Sequence, residues 1–129
     1  MRDITSTPGN TRITVAYLRT ASRNQFDSRL GLGRQLQDCE DYARSLGVRI
    51  ARIYADAGVS GLAERRPALY QLMRDLSIGS ICRVIVADPA RLARDRELEQ
   101  HLQQRIRNEG ATISLPCDSR LATNRKDDV

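Results

Sequence analysis

"ICRVIVADPARLAR", residues 81–94, changes character halfway along. Its first half, 81–87, is an apolar and β-branched run interrupted only by Arg83. Such a run marks a strand covered on both faces. Its second half turns at Asp88 and Pro89 and then presents Arg91 and Arg94. A strand buried on both sides belongs inside a parallel sheet, whose crossover helices must cover each face. The rest of the chain has to supply those helices and the neighbouring strands.

Upstream, "ITVAYLRT" from Ile13 is a second run of strand length, rich in β-branched and aromatic residues. Residues 22–31 read as a polar loop ending at Gly31. Leu32, Leu36, Cys39, Ala43 and Leu46 then recur at intervals of four and three, one face of a helix that Gly47 stops. "VRIARIYA" (48–55) gives another strand, followed by the glycine-rich loop "DAGVSGLAERR" (56–66). Pro67 opens a helix with Leu69, Leu72, Met73 and Leu76 on its buried stripe, and Gly79 ends it. Downstream of the opening stretch, Leu98, Leu102 and Ile106 mark a helix over 96–109, stopped by Gly110; "ATISL" (111–115) is a last strand. Strands and helices alternate, so the expected fold is α/β: three layers, a mostly parallel sheet of four or five strands, helices on both faces. Residues 1–11 read as a flexible lead, 12–116 as one domain, and 117–129 as a polar, disordered tail.

Composition narrows the function classes. No apolar run approaches the ~18 residues of a membrane span, so no membrane association is expected and the expected place is the cytoplasm. Cys39, Cys82 and Cys117 are widely spaced without a CxxC pair, and His101 stands alone on a charged helix. Reduced thiols and no metal site are expected. There is no GxxxxGK[ST] phosphate loop, so no nucleotide is expected.

Of the 21 basic residues, all but Lys126 are arginine. A GC-rich coding sequence alone yields that bias, so position matters more than number. In open parallel sheets, ligands bind beyond the carboxyl ends of the strands. Arg19, Ala21 and Ser22 follow the first strand; Asp56, Ser60, Arg65 and Arg66 follow the second; Asp88, Arg91 and Arg94 follow the third. Arginines from three remote segments therefore gather at one rim. Guanidinium forks hold phosphate oxygens and stabilise charge developing on them. A phosphodiester of DNA suits such a rim without a metal or other cofactor.

"YLRTAS…Q…LGRQ", "YADAGVSG…RRPAL" and "ARLAR" together resemble the catalytic domain of serine recombinases, the resolvase/invertase family, over about residues 12–116. The resemblance implies a resolvase-like fold and site-specific DNA recombination by serine transesterification. It implies a covalent phosphoserine intermediate, DNA as partner, and homodimers that form tetramers on synapsis. Carried over by position, Arg19 contacts the scissile phosphate, and Arg66, Arg91 and Arg94 complete the catalytic arginines. Tyr17, Gln25, Gln35 and Asp56 support them.

Two positions depart from the family pattern. Ala21 stands where the nucleophilic serine belongs, and Ala90 where an aspartate precedes Arg91. An alanine cannot attack phosphorus. Ser22 is the candidate displaced nucleophile, but alternate residues of a strand face opposite ways, so it points away from the face shared by Tyr17, Arg19 and Ala21. "SRNQ" (22–25) also fits the S-x-x-Q pattern of a helix start, which makes Ser22 a candidate cap. Two functions stay open: a recombinase catalytic domain, inactive through Ala21, or an impaired resolvase-like module acting by binding and protein–protein association. A flavodoxin-like or response-regulator-like domain fails, because no flavin phosphate loop and no aspartate cluster close the first strand.

Overall fold

The computed structural model describes residues 12–21, 24–58, 66–93 and 95–116. The strand at the centre of the opening stretch is Ile81–Val86 (β3), and it pairs in parallel with Ile13–Arg19 (β1). On the far side of β1 lies Ile50–Asp56 (β2), and outside β3 lies the short Thr112–Ser114 (β4). The order is β2-β1-β3-β4, all parallel.

Helices cover both faces, as the unbroken apolar run of β3 requires. Gln25–Leu46 (α1) packs Cys39 and Ala43 against Ala16, Leu18, Ile85 and Ala87 on one face. Pro67–Ile78 (α2), the one-turn Pro89–Leu92 (α3) and Arg96–Asn108 (α4) cover the other. There Leu69, Leu72, Leu76, Leu92, Leu102 and Ile106 bury themselves against Val15, Tyr17, Val84 and Val86. Truncating a side chain such as the fully buried Leu72 to alanine would cost about 2–5 kcal/mol in lost transfer energy and cavity.

Four local expectations are corrected. The stretch 22–31 is not a loop to its end, because α1 already begins at Gln25 and runs through Gly31 and Gly33. Its cap is not Ser22: the Asn24 side chain accepts from the amides of Phe26 (2.8 Å) and Asp27 (3.1 Å). Ser22 itself lies outside the described residues. The second strand starts at Ile50, not at Val48, since the left-handed Gly47 (φ 76°) lets the amide of Val48 turn back onto the Ala43 carbonyl at 3.0 Å. Leu46, assigned by spacing to the buried face of α1, is 41% exposed. Among the described residues no helix is long and apolar enough to cross a membrane. The lead 1–11 and the tail 117–129, with Cys117, lie outside the described residues.

Candidate active site

β1 is followed by β2 on one side and, after α2, by β3 on the other. The connections leaving β1 and β3 therefore go to opposite faces, α1 on one and α3 on the other. A crevice at the carboxyl ends of these two strands is where an open α/β sheet places a ligand. Arg19–Ala21 lie at the end of the one strand, and Ala87–Arg91 follow the other.

Behind that crevice sits a buried polar cluster. The Tyr17 hydroxyl donates to Asp56 Oδ2 at 2.8 Å and accepts from Arg66 Nη2 (3.1 Å) and Nε (3.3 Å). The Arg66 guanidinium also lies 5.5 Å from the Tyr17 ring centroid, within cation–π range. Asp56 ends β2 and caps α2 from outside: Oδ1 accepts from the Ala68 amide (2.9 Å) and Oδ2 from the Leu69 amide (3.1 Å). Arg66 at the N-cap position makes no side-chain cap of its own, so Asp56 replaces it there. Burial raises the Tyr17 phenol well above its ordinary value, only partly opposed by the Arg66 charge. The phenol stays protonated and can donate to Asp56.

The end of β1 is held from the other face. Gln35 of α1 is buried and brackets Arg19: its Oε1 accepts from the Arg19 amide (3.0 Å) and its Nε2 donates to the Arg19 carbonyl (2.8 Å). One side-chain amide thus replaces a strand partner at the point where pairing runs out. Gly31 permits this approach, since a Cβ there would lie 3.0 Å from Thr20 Cγ2. Thr20 is buried too, its amide donating to the Asp56 carbonyl at 3.0 Å.

Beyond the end of β3, Asp88 caps α3 by accepting from the Ala90 amide at 3.0 Å. The Arg91 carbonyl accepts from Arg19 Nε (3.0 Å) and Arg66 Nη2 (3.1 Å), and the Ala90 carbonyl from Arg19 Nη2 (2.7 Å). Arg91 differs from these two: its side chain is 36% exposed and its Nε lies 3.6 Å from Asp88 Oδ2. That buried Nε has no hydrogen-bond partner among the described residues. Ala21 and Ala90 are both exposed, one following β1 and the other in the first turn after β3.

The family described as "Resolvase, N terminal domain" matches residues 14–128. The chain belongs to this family. It is 36% identical over 78 residues to the "Putative DNA recombinase" of Bacillus subtilis (strain 168), covering 60% of this chain. It spans 15% of that relative's length. Among solved structures, a serine recombinase from Sulfolobus solfataricus superposes with a TM-score of 0.67 at 26% identity, over 82% of this chain and 69% of that one. The N-terminal catalytic domain of TP901-1 integrase gives 0.75 at 24% identity, over 82% and 79%. A resolvase-family site-specific recombinase from Streptococcus pneumoniae gives 0.70 at 22%, over 91% and 90%. The last two show the shared fold.

In this resolvase domain, Tyr17, Arg19, Gln35, Asp56, Arg66 and Arg91 fall within one connected hydrogen-bonded group. Arg94, Ser22, Ser60 and Arg65 lie outside the described residues; Gln25 opens α1, with its side chain outside them. Sequence reasoning missed three features. The carbonyls of Ala90 and Arg91 are backbone groups and carry no residue signal. Gly31 was a visible signal, since a glycine inside a helical register marks a close approach. Asp88 before Pro89 was the third, an Asp-Pro cap of a short helix.

Proposed function

We propose that residues 12–116 form a resolvase-type catalytic domain that engages the phosphodiester backbone of DNA at the crevice between the ends of β1 and β3. The observation that carries this reading is the meeting of the Arg19 and Arg66 guanidinium groups on the carbonyl of Arg91, at the carboxyl end of the strand that leads into an exposed residue 21. Arg91 presents its side chain to solvent at this rim, with Arg19 and Arg66 bonded to its backbone, and a guanidinium there stabilises a phosphate whose non-bridging oxygens gain charge. In the family's reaction a serine oxygen bonds to phosphorus, the 3′-oxygen of the neighbouring sugar leaves, and a 5′-phosphoserine results. This chain carries a methyl group at position 21, so no such bond can form there. Loss of a nucleophile costs on the order of a million-fold where measured in a hydrolase.

DNA binding without cleavage is therefore the proposed activity, exerted in the cytoplasm. Homodimers, and tetramers on synapsis, are the proposed assemblies. A domain that binds but cannot cut also fits a regulatory role within mixed assemblies of active relatives. Covalent trapping on supercoiled DNA tests the reading, comparing the chain as given with Ala21→Ser and Ser22→Ala. The chain as given should yield no detergent-resistant DNA adduct. An adduct that Ser22→Ala abolishes would overturn the reading and make Ser22 the nucleophile.

A further inference from the structure

We propose that Arg66 is a positioning residue: it does not meet DNA, and it acts on the phosphate through the backbone of Arg91. This rests on the DNA-backbone reading of the crevice for its functional consequence, though not for its structural one.

Arg66 is 2% exposed, and among the described residues its guanidinium bonds to the Tyr17 hydroxyl and the Arg91 carbonyl. A buried charge persists only when it is paired and hydrogen-bonded. Here the pairing is indirect. The carboxylate of Asp56 reaches Arg66 through the Tyr17 hydroxyl, which donates to Asp56 and accepts from Arg66. The remaining reach of Arg66 goes to the Arg91 carbonyl. A continuous strut thus runs from the first turn of α2, through Asp56, Tyr17 and Arg66, to the end of α3.

That end needs holding. A helix leaves its last carbonyls without internal partners, and α3 is only four residues long. Arg19 and Arg66, from separate segments of the chain, supply donors to those carbonyls. With its backbone clamped, Arg91 is the member of the three arginines whose side chain reaches solvent at the rim, braced by Asp88. Arg66 contributes the placement of that side chain.

A double-mutant cycle distinguishes this role from direct contact. Binding of a short fluorescent DNA duplex would be measured by anisotropy for the chain as given, Arg66→Met, Arg91→Gln and the double variant. Each single change should weaken binding about tenfold, on the order of one charge-assisted contact. The double variant should bind no more weakly than Arg91→Gln alone. Losses that multiply, or unchanged binding by Arg66→Met, would overturn the proposal.

The carbonyl carbon shift of Arg91, read by NMR without DNA, gives an independent measure. It should move in Arg66→Met and also in Arg66→Lys, because an ammonium replaces the charge but cannot span the Tyr17 hydroxyl and the Arg91 carbonyl together. An unmoved shift overturns the strut whether or not DNA binds. Absence of DNA binding by the chain as given, with the shift moved, sinks the DNA reading and keeps the strut. Should Arg66→Met fail to fold, Tyr17→Phe breaks the same link while keeping the ring beneath the guanidinium, and the same displacement is expected.

Discussion

Two clusters of tyrosine, aspartate and arginine flank α2, and they share a wiring. In the inner one Tyr17 donates to Asp56 and accepts from Arg66; in the outer one Tyr54 donates to Asp75 Oδ2 (2.6 Å) and accepts from Arg52 Nη1 (3.2 Å). The two tyrosines are register partners on adjacent strands. Their surroundings differ. Arg66 and Asp56 are 2% and 3% exposed, whereas the side chains of Arg52 and Asp75 are 53% and 15% exposed. Water screens the outer ion pair, so it contributes little. The inner group has no water to fall back on, and breaking it strands a charge. The same three residue types form a surface brace in one place and a strut supporting the site in the other.

The largest effect should separate the two aspartates. Asp56→Ala leaves the Arg66 charge and the Ala68 and Leu69 amides without their partner, and should destabilise the fold by about 3–5 kcal/mol in urea unfolding. Asp75→Ala should cost only a small part of that. Equal losses would break the comparison.

A smaller contrast is expected between the tyrosines. Tyr17→Phe should cost about 1–3 kcal/mol, because it leaves buried partners unsatisfied, and Tyr54→Phe about 1 kcal/mol or less. The pH dependence sharpens this. Burial raises the Tyr17 phenol and pushes the Cys39 thiol up to about 12. Both groups are neutral when protonated, and the unfolded chain ionises first, from the ordinary values of 9.0 for cysteine and 10.0 for tyrosine. Stability should therefore be independent of these groups below pH 9.0 and fall as pH rises toward about 12. Tyr17→Phe should make that fall shallower in urea titrations, and Tyr54→Phe should change it less.

Much of the fold was legible because periodicity reports burial. The apolar run at 81–87 placed a central strand, and the leucines of 69–76 placed α2. Pattern failed where tertiary contact decides. α1 runs through Gly31, where a Cβ would lie 3.0 Å from Thr20 Cγ2, so this glycine marks a close approach and not the end of a loop. Leu46 fits the helical stripe but emerges at the end of the helix, beyond the sheet contacts. For the site, the residue types were readable and their roles were not. Asp56, Arg66 and Tyr17 matched the family motif as a set, but neither the capping of α2 nor the clamp on the Arg91 carbonyl follows from side-chain identity.

The most direct test of the central claim is an NMR titration of the chain with a short DNA duplex. DNA should shift the amide signals of residues 19–21 and 88–91, and the shifts should vanish as salt is raised, as phosphate contacts require. Shifts confined to the opposite end of the sheet, around Arg12, Arg107 and Gly110, would contradict the account.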